Sequence, residues 1–356
     1  MIKKYLQVVS LALVFSSQTL FAQFGQQIDS GLVESSLINE ASGLASSKKN
    51  PGVLWTHNDT NGKNRIFALS GKGKHLGSYC VDRCPIRDWE DVAVGPGPVD
   101  SNSYIYLGNI GDNDFKYDVK CVYRCVEPKV STLQDTITDT IRNNDTLQFV
   151  YPGGVKYDAE ALMIDPLTKD YYVITKTNSV AIVYKAAYPQ PTGWSKIDTL
   201  ESIDTLAIDD VVSADISPSG SEIIIKNTKK MFYWVRNDNE TIRDALSRVS
   251  QRISYTEEPQ GEAVAWDNNA SGYFTISEET GADCHLYYYP RIVGIKHKPV
   301  QSCQSGNITA PVTLLSIDRY NFSSCYYLTG RVAPAARKSN LKNQTLQIIV
   351  SKSGKR

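Results

Sequence analysis

Short runs rich in Val, Ile, Tyr and Phe recur along the chain, and five of them open on an acidic residue. They are Glu40-Ala41-Ser42-Gly43-Leu44-Ala45, Glu90-Asp91-Val92-Ala93-Val94, Glu160-Ala161-Leu162-Met163-Ile164, Asp215-Ile216-Ser217-Pro218 and Glu262-Ala263-Val264-Ala265-Trp266. The acidic positions 40, 90, 160, 215 and 262 lie 50, 70, 55 and 47 residues apart, so the second interval carries an insertion. After each start comes a turn, at Asn50-Pro51-Gly52, Gly95-Pro96-Gly97, Asp165-Pro166, Ser217-Pro218-Ser219-Gly220 and Asp267-Asn268-Asn269. These residue types supply tight-turn dihedrals.

A second strand is predicted beyond each turn, from Val53-Leu54-Trp55-Thr56 in the first repeat to Tyr273-Phe274-Thr275-Ile276 in the fifth. Third strands follow, such as Arg65-Ile66-Phe67-Ala68-Leu69 and Met231-Phe232-Tyr233-Trp234-Val235. Fainter fourth strands lie at residues 76–81, 147–151, 197–206 and 253–257. Four short β-rich strands per repeat of this length predict an all-β fold, a β-propeller with five recognisable four-stranded antiparallel blades. An irregular sandwich would account for the strands but not for five acidic-plus-strand starts. Residues 28–37 are expected to supply the last strand of the final blade and close the ring. The propeller then spans residues 28–299, and residues 300–356 are either an appendage or a degenerate sixth blade built on 312–317 and 326–332. The last segment, 336–356, has six basic and no acidic residues, the composition of a solvated tail.

Charge excludes one class of partner. With 38 basic and 38 acidic residues, the chain has no global field to draw it to nucleic acid or an anionic membrane. The N-terminus reads as a secretory signal peptide over residues 1–22: Lys3 and Lys4, then an apolar stretch broken by polar residues, then Ala22. That stretch is shorter than the roughly 20 apolar residues a membrane span needs. A secreted, extracellular protein without a membrane span is the expectation.

In that compartment the cysteines are expected to be bridged rather than to bind zinc. Cys80, Cys84, Cys121 and Cys125 lie in the first two repeats and are expected to form two disulfides across that blade junction, leaving Cys284, Cys303 and Cys325 with one thiol over. Asn-x-Ser/Thr acceptors at Asn58, Asn144, Asn239, Asn269, Asn307, Asn321 and Asn343 are candidate glycosylation sites.

Five short motifs resemble those of a group of secreted propeller proteins that is itself similar to the phytase-like propellers. They are Asp88-Trp89-Glu90-Asp91, Gly108-Asn109-Ile110-Gly111-Asp112-Asn113, Tyr123-Arg124-Cys125-Val126-Glu127-Pro128, Asp158-Ala159-Glu160-Ala161-Leu162 and Gln260-Gly261-Glu262-Ala263. The resemblance covers residues 37–289, and its first two motifs are the most specific. Phytase-like propellers bind calcium through acidic clusters and some hydrolyse phosphate esters, so the resemblance implies calcium more strongly than catalysis. The group usually has Asp where this chain has Asn109, which keeps an oxygen donor but removes a charge.

In a propeller the innermost strands line the channel, so Glu40, Glu90, Glu160, Asp215 and Glu262 are expected near one axis. Carboxylates gathered in this way need protons, a hard cation or lysines to offset their repulsion. Calcium takes about 6 to 8 oxygen ligands, and Asp59, Asp88, Asp91, Asp112 and Asn113 add donors near the strand ends. Lys176 and Lys226 close second strands and are candidate contacts for phosphate or another anion. The same acidic residues could instead hold blades together by accepting backbone N–H bonds.

No Gly-x-Ser-x-Gly elbow, His-Glu-x-x-His pair or Gly-x-x-x-x-Gly-Lys loop is present. His57, beside Asn58 and Asp59, is the one acid-base candidate, and a turn histidine more often lies at the surface. Two functions follow: a calcium-binding, non-catalytic propeller that binds a matrix component, protein or glycan, or a calcium-dependent phosphoester hydrolase.

Overall fold

The structure is a computed structural model that describes residues 23–59, 63–278 and 284–292. The expected leader, the segment 300–356 with its sixth-blade alternative, and Cys303, Cys325, Asn307, Asn321 and Asn343 lie outside the described residues.

Two short strands, β1 (Gln23–Phe24) and β2 (Ile28–Leu32), precede the first blade. Blade 1 is β3 (Ala41–Ser46), β4 (Val53–Asn58), β5 (Arg65–Ser70) and β6 (His75–Val81). In blade 2, β7 (Trp89–Pro96), β8 (Ser103–Asn109) and β9 (Lys120–Val126) are followed by β10 (Ile137–Ile141) and β11 (Asp145–Val150). Blade 3 comprises β12 (Ala159–Ile164), β13 (Tyr171–Thr175) and β14 (Ala181–Ala186), then β15 (Ile197–Thr199) and β16 (Glu201–Leu206). Blade 4 is β17 (Val211–Ile216), β18 (Glu222–Asn227), β19 (Met231–Val235) and β20 (Gln251–Ile253). Blade 5 is β21 (Gly261–Trp266), β22 (Gly272–Ser277) and β23 (His285–Ile292).

Five blades therefore form the propeller, as the repeat predicts. Their innermost strands β3, β7, β12, β17 and β21 neighbour one another in a closed cycle. β2 pairs antiparallel with β23, Ile28 opposite Tyr288, so the N-terminal segment supplies the outer strand of the final blade. The long second interval also has a structural cause. Its inserted strand β10 leaves blade 2 and pairs in parallel with β6 of blade 1. β15 does the same one blade later, pairing in parallel with β11, so only β16 of the expected 197–206 strand belongs to blade 3. Both additions cover sheet edges that would otherwise present unpaired backbone groups.

Apolar side chains from facing blades fill the space between the sheets. Trp55 and Trp89 pack in one core layer with Tyr79 and Tyr123, and all four are almost wholly buried. Burying side chains of this size contributes roughly 1.5–3 kcal/mol each.

Around the axis, polar groups stitch the inner strands together. The Asp91 carboxylate on β7 accepts from Leu162 N on β12 at 3.0 Å and from Ser213 Oγ on β17 at 3.2 Å. Ser213 Oγ in turn accepts from Val264 N on β21 at 3.2 Å. Asp215 accepts from Trp266 N at 2.8 Å, and Ser42 Oγ donates to the Glu90 carbonyl at 2.6 Å.

The bridges expected among Cys80, Cys84, Cys121 and Cys125 are not formed; these four are free thiols. Cys121 and Cys125 sit four residues apart on one strand, roughly 13 Å of rise, so they cannot pair with each other. Cys84, Cys121 and Cys125 instead pack as apolar groups in the core between blades 1 and 2, while Cys80 donates to Asn64 Oδ1.

Candidate functional site

Every inner strand carries a register shift near its start, and this local feature builds the site. The shifts fall between Ala41 and Leu44, Trp89 and Asp91, Ala159 and Ala161, Val211 and Ser213, and Gly261 and Ala263. The residues inside them include Glu90, Glu160, Val212 and Glu262. A bulge bends the strand and re-aims a side chain, here out of the sheet alternation and toward one end of the channel. A second tier of acids comes from the residues that lead into the strands, Glu40, Asp88 and Asp158. A third comes from the ends of second strands, Asp59 and Glu278, with Lys176 at the same position in blade 3.

Among the described residues, two groups of three carboxylates converge, Asp59–Asp88–Glu90 and Glu90–Asp158–Glu160. In each group, one oxygen from every residue lies within 4.8 Å of the others. Glu90 belongs to both. Two unit charges at that separation repel by roughly 3–4 kcal/mol at an effective dielectric of about 20. Glu90 is 6% exposed, and no hydrogen-bond donor among the described residues reaches its carboxylate. Asp59 Oδ1 is likewise buried without a hydrogen-bond partner among the described residues. Gly111 closes the floor: a Cβ there would stand 2.0 Å from Glu90 Oε1 and 2.6 Å from Asp88 Oδ2.

The electrostatics show the crowding. Burial pushes the Asp59 carboxyl up to about 7, and Asp88, Glu278 and Glu40 add to it. Burial, followed by Glu160, Asp59 and Asp88, holds Glu90 well above the carboxylate range. Glu160 rises to about 8 through burial, although Lys176 opposes the shift. Asp88, Asp158, Glu262 and Glu278 are all raised, by burial first.

The sequence-predicted residues separate into two groups. Glu40, Asp59, Glu90, Glu160 and Glu262 meet at the mouth. Asp91 and Asp215 do not; they are the interblade acceptors described above. Asp215 falls at the far end of β17 instead of its start, so Val212 occupies the equivalent place inside the register shift. Asp112 is also structural. Its Oδ2 lies 2.8 Å from Lys120 Nζ with both side chains sealed from solvent, and it accepts from Lys116 N and Tyr117 N. Burial would raise this carboxyl, but the Lys120 bond and the two N–H groups outweigh it and hold it below its ordinary value. Asn113 is exposed on that loop.

Asn109 Oδ1 accepts from Arg87 N and Asp88 N, each at 3.0 Å, while Nδ2 donates to Cys121 Sγ at 3.4 Å. A carboxylate could not make that last bond. Glu127 of the third motif is fully buried and accepts from Trp55 Nε1 at 2.8 Å and Lys49 N at 3.1 Å, tying blade 2 to blade 1.

Neither candidate anion contact presents an open ammonium. Lys176 Nζ stands 2.6 Å from each Glu160 oxygen. Lys226 is fully buried, donates to the Gly261 carbonyl and to the Asn227 carbonyl at 3.2 Å, and lies over the Tyr255 ring. His57 is not a surface residue either; it is fully buried on β4, and burial holds its imidazole down at about 4, neutral near pH 7. Of the glycosylation candidates, Asn239 and Asn269 are exposed. Asn58 is 8% exposed and donates to Leu37 O and Asn39 Oδ1, while half-buried Asn144 donates to Asp82 O at 2.6 Å.

Asp158 and Glu278 are the acids that reading along the strands left out as ligands, and Asp88 counted only as a nearby donor. The signal for two of them was present: Asp88-Trp89-Glu90 and Asp158-Ala159-Glu160 share one Asp-x-Glu spacing.

No family model matches the chain, and no curated protein is similar to it. Among solved structures it is similar to the Dos1 propeller at 10% identity, over 75% of this chain and 95% of that one, with a TM-score of 0.33. It is also similar to a chain of a nidogen/laminin complex at 9% identity, over 67% of this chain and 73% of that one, with a TM-score of 0.39.

Proposed function

We propose that this protein is a secreted, calcium-binding propeller that uses its channel mouth to bind an extracellular partner, a matrix component, protein or glycan, without catalysing a reaction. The observation that carries this reading is the convergence of two carboxylate triads on Glu90, a buried carboxylate that no hydrogen-bond donor among the described residues reaches. An all-oxygen, strongly anionic donor set suits calcium better than a metal that prefers nitrogen or sulfur. Asp59, Asp88, Glu90, Asp158 and Glu160 supply the carboxylate oxygens available to an ion, which would offset their mutual repulsion.

A phosphohydrolase also needs cations for the phosphoryl oxygens. Lys176 and Lys226 are engaged by Glu160 and by backbone carbonyls, so a phosphate at this mouth would meet carboxylates. The exposed Phe115 and Tyr117 lie on the loop anchored by Asp112, whose backbone N–H bonds the Asp158 carboxylate, and they offer a partner apolar surface.

The test uses the mature chain. Calcium at 100 times its Kd should add about 2.7 kcal/mol to stability, seen as a rise in Tm over the same protein in chelator, with no phosphate released from phosphate monoesters. Retention on arrays of matrix proteins and glycans should require calcium. An identical Tm in calcium and chelator would remove the metal from this reading, and calcium-dependent phosphate release would replace binding with hydrolysis.

A further inference from the structure

The two triads that share Glu90 are not equivalent. In the triad Asp59–Asp88–Glu90, the acid at its edge is surrounded by further acids: Asp88, Glu278, Glu40 and Glu262 all act on Asp59. The cations nearest Asp88 are bonded elsewhere. Lys120 pairs with Asp112 at 2.8 Å, and Arg87 donates to the carbonyls of Val119 and Asn109. In the triad Glu90–Asp158–Glu160, an ammonium is already in place. Lys176 Nζ contacts both Glu160 oxygens at 2.6 Å and feels Glu262 and Glu90 as well. Its backbone N–H also bonds the Asp158 carbonyl at 3.0 Å, which fixes the stem of the side chain beside this triad.

We propose that Lys176 is a tethered cation that fills the second triad, so the mouth takes a single calcium ion, at Asp59–Asp88–Glu90, although its carboxylates are arranged for two. This rests on the reading of the mouth as a calcium site. The physical basis is exclusion by charge and space. An ion in the second triad would need the Glu160 oxygens that Lys176 holds, and it would stand within a few ångströms of an ammonium with which it repels strongly. A lysine in this place gives the metal-free protein part of the charge compensation that a second ion would supply.

Calcium stoichiometry at saturation decides the matter, measured by equilibrium dialysis and by titration calorimetry on the full mature chain. Wild type and Lys176→Arg, which keeps the charge, should bind one ion. Lys176→Met should bind two, and its Tm should rise by about twice the wild-type increment on adding calcium. Two ions in wild type, or one in folded Lys176→Met, would overturn the proposal. A Lys176→Met protein that is unfolded in chelator but folds in millimolar calcium supports it, because the second ion replaces the missing ammonium. One that stays unfolded in millimolar calcium overturns it. No calcium bound by wild type or by Lys176→Met is a different failure, that of the calcium reading itself.

Discussion

Glu90 and Asp91 are consecutive on β7, yet their carboxylates serve different ends of one design. Glu90 sits in the register shift and converges with Asp59, Asp88, Asp158 and Glu160. Asp91, fully buried, turns to the axis and accepts from Leu162 N and Ser213 Oγ of the next two blades. Among the described residues one carboxylate lacks donors and the other is saturated with them, so their substitutions should have opposite signatures.

Asp91→Ala should lower stability by about 2–5 kcal/mol, since it leaves the Leu162 N–H and Ser213 hydroxyl buried without an acceptor. Glu90→Gln should leave chelator-treated protein as stable as wild type or more so, because it removes an ionisable carboxyl from a repelling, desolvated cluster, and should abolish the calcium-induced rise. Urea unfolding of both variants, with and without calcium, separates the two roles.

Asp112→Asn should weaken the fold without changing calcium stoichiometry. It breaks the buried pair with Lys120, a loss of about 3–5 kcal/mol for pairs of this type. A change in the number of bound ions with the fold intact would return Asp112 to the ligand set.

Gly111→Ala should block calcium by filling the space against Glu90 Oε1 and Asp88 Oδ2. Calorimetric titration should show binding weakened at least tenfold, while the far-ultraviolet spectrum of the variant stays that of a folded propeller.

In chelator, the protein should gain stability as pH falls from about 8.5 to 6.5. Glu160 at about 8, Asp59 at about 7 and Asp215 at about 6 all lie above their unfolded values near 4. The folded state therefore binds more protons in this window, and stability rises as they are taken up. His57 works the other way below about 6.5: it stays neutral down to about 4 in the fold, while the unfolded chain takes up its proton. Calcium should reverse the slope above pH 6.5, since protons compete with it for the same oxygens. Thermal melts across this range, with calcium and with chelator, give both signs.

Expressed through a eukaryotic secretory pathway, the protein should carry glycans at Asn239 and Asn269 and none at Asn58, whose two amide hydrogens are both donated inside the fold. Peptide mass spectrometry before and after glycosidase treatment reads the occupancy of each.

The amino-acid pattern alone determined the five blades, because each unit is built from local strand and turn preferences that repeat at blade length. It offered residues 28–37 as the closing strand, which the pairing of β2 with β23 bears out, and it placed acids at the inner strands. It could not assign each acid to its job. Glu40, Glu90, Glu160, Asp215 and Glu262 look alike as acid-plus-strand starts, but Asp215 lies at the opposite end of its strand. Asp91 and Asp112 look like donors beside the motif until the backbone N–H groups and the lysine that saturate them are seen. Asp59 and Asp88 converge on Glu90 from the blade 1 and blade 2 sides, and Asp158 and Glu160 from blade 3. Tertiary structure decided these points because a bulge shifts side-chain direction by one residue, and because the donors that saturate Asp91 arrive from blades 71 and 122 residues away in sequence.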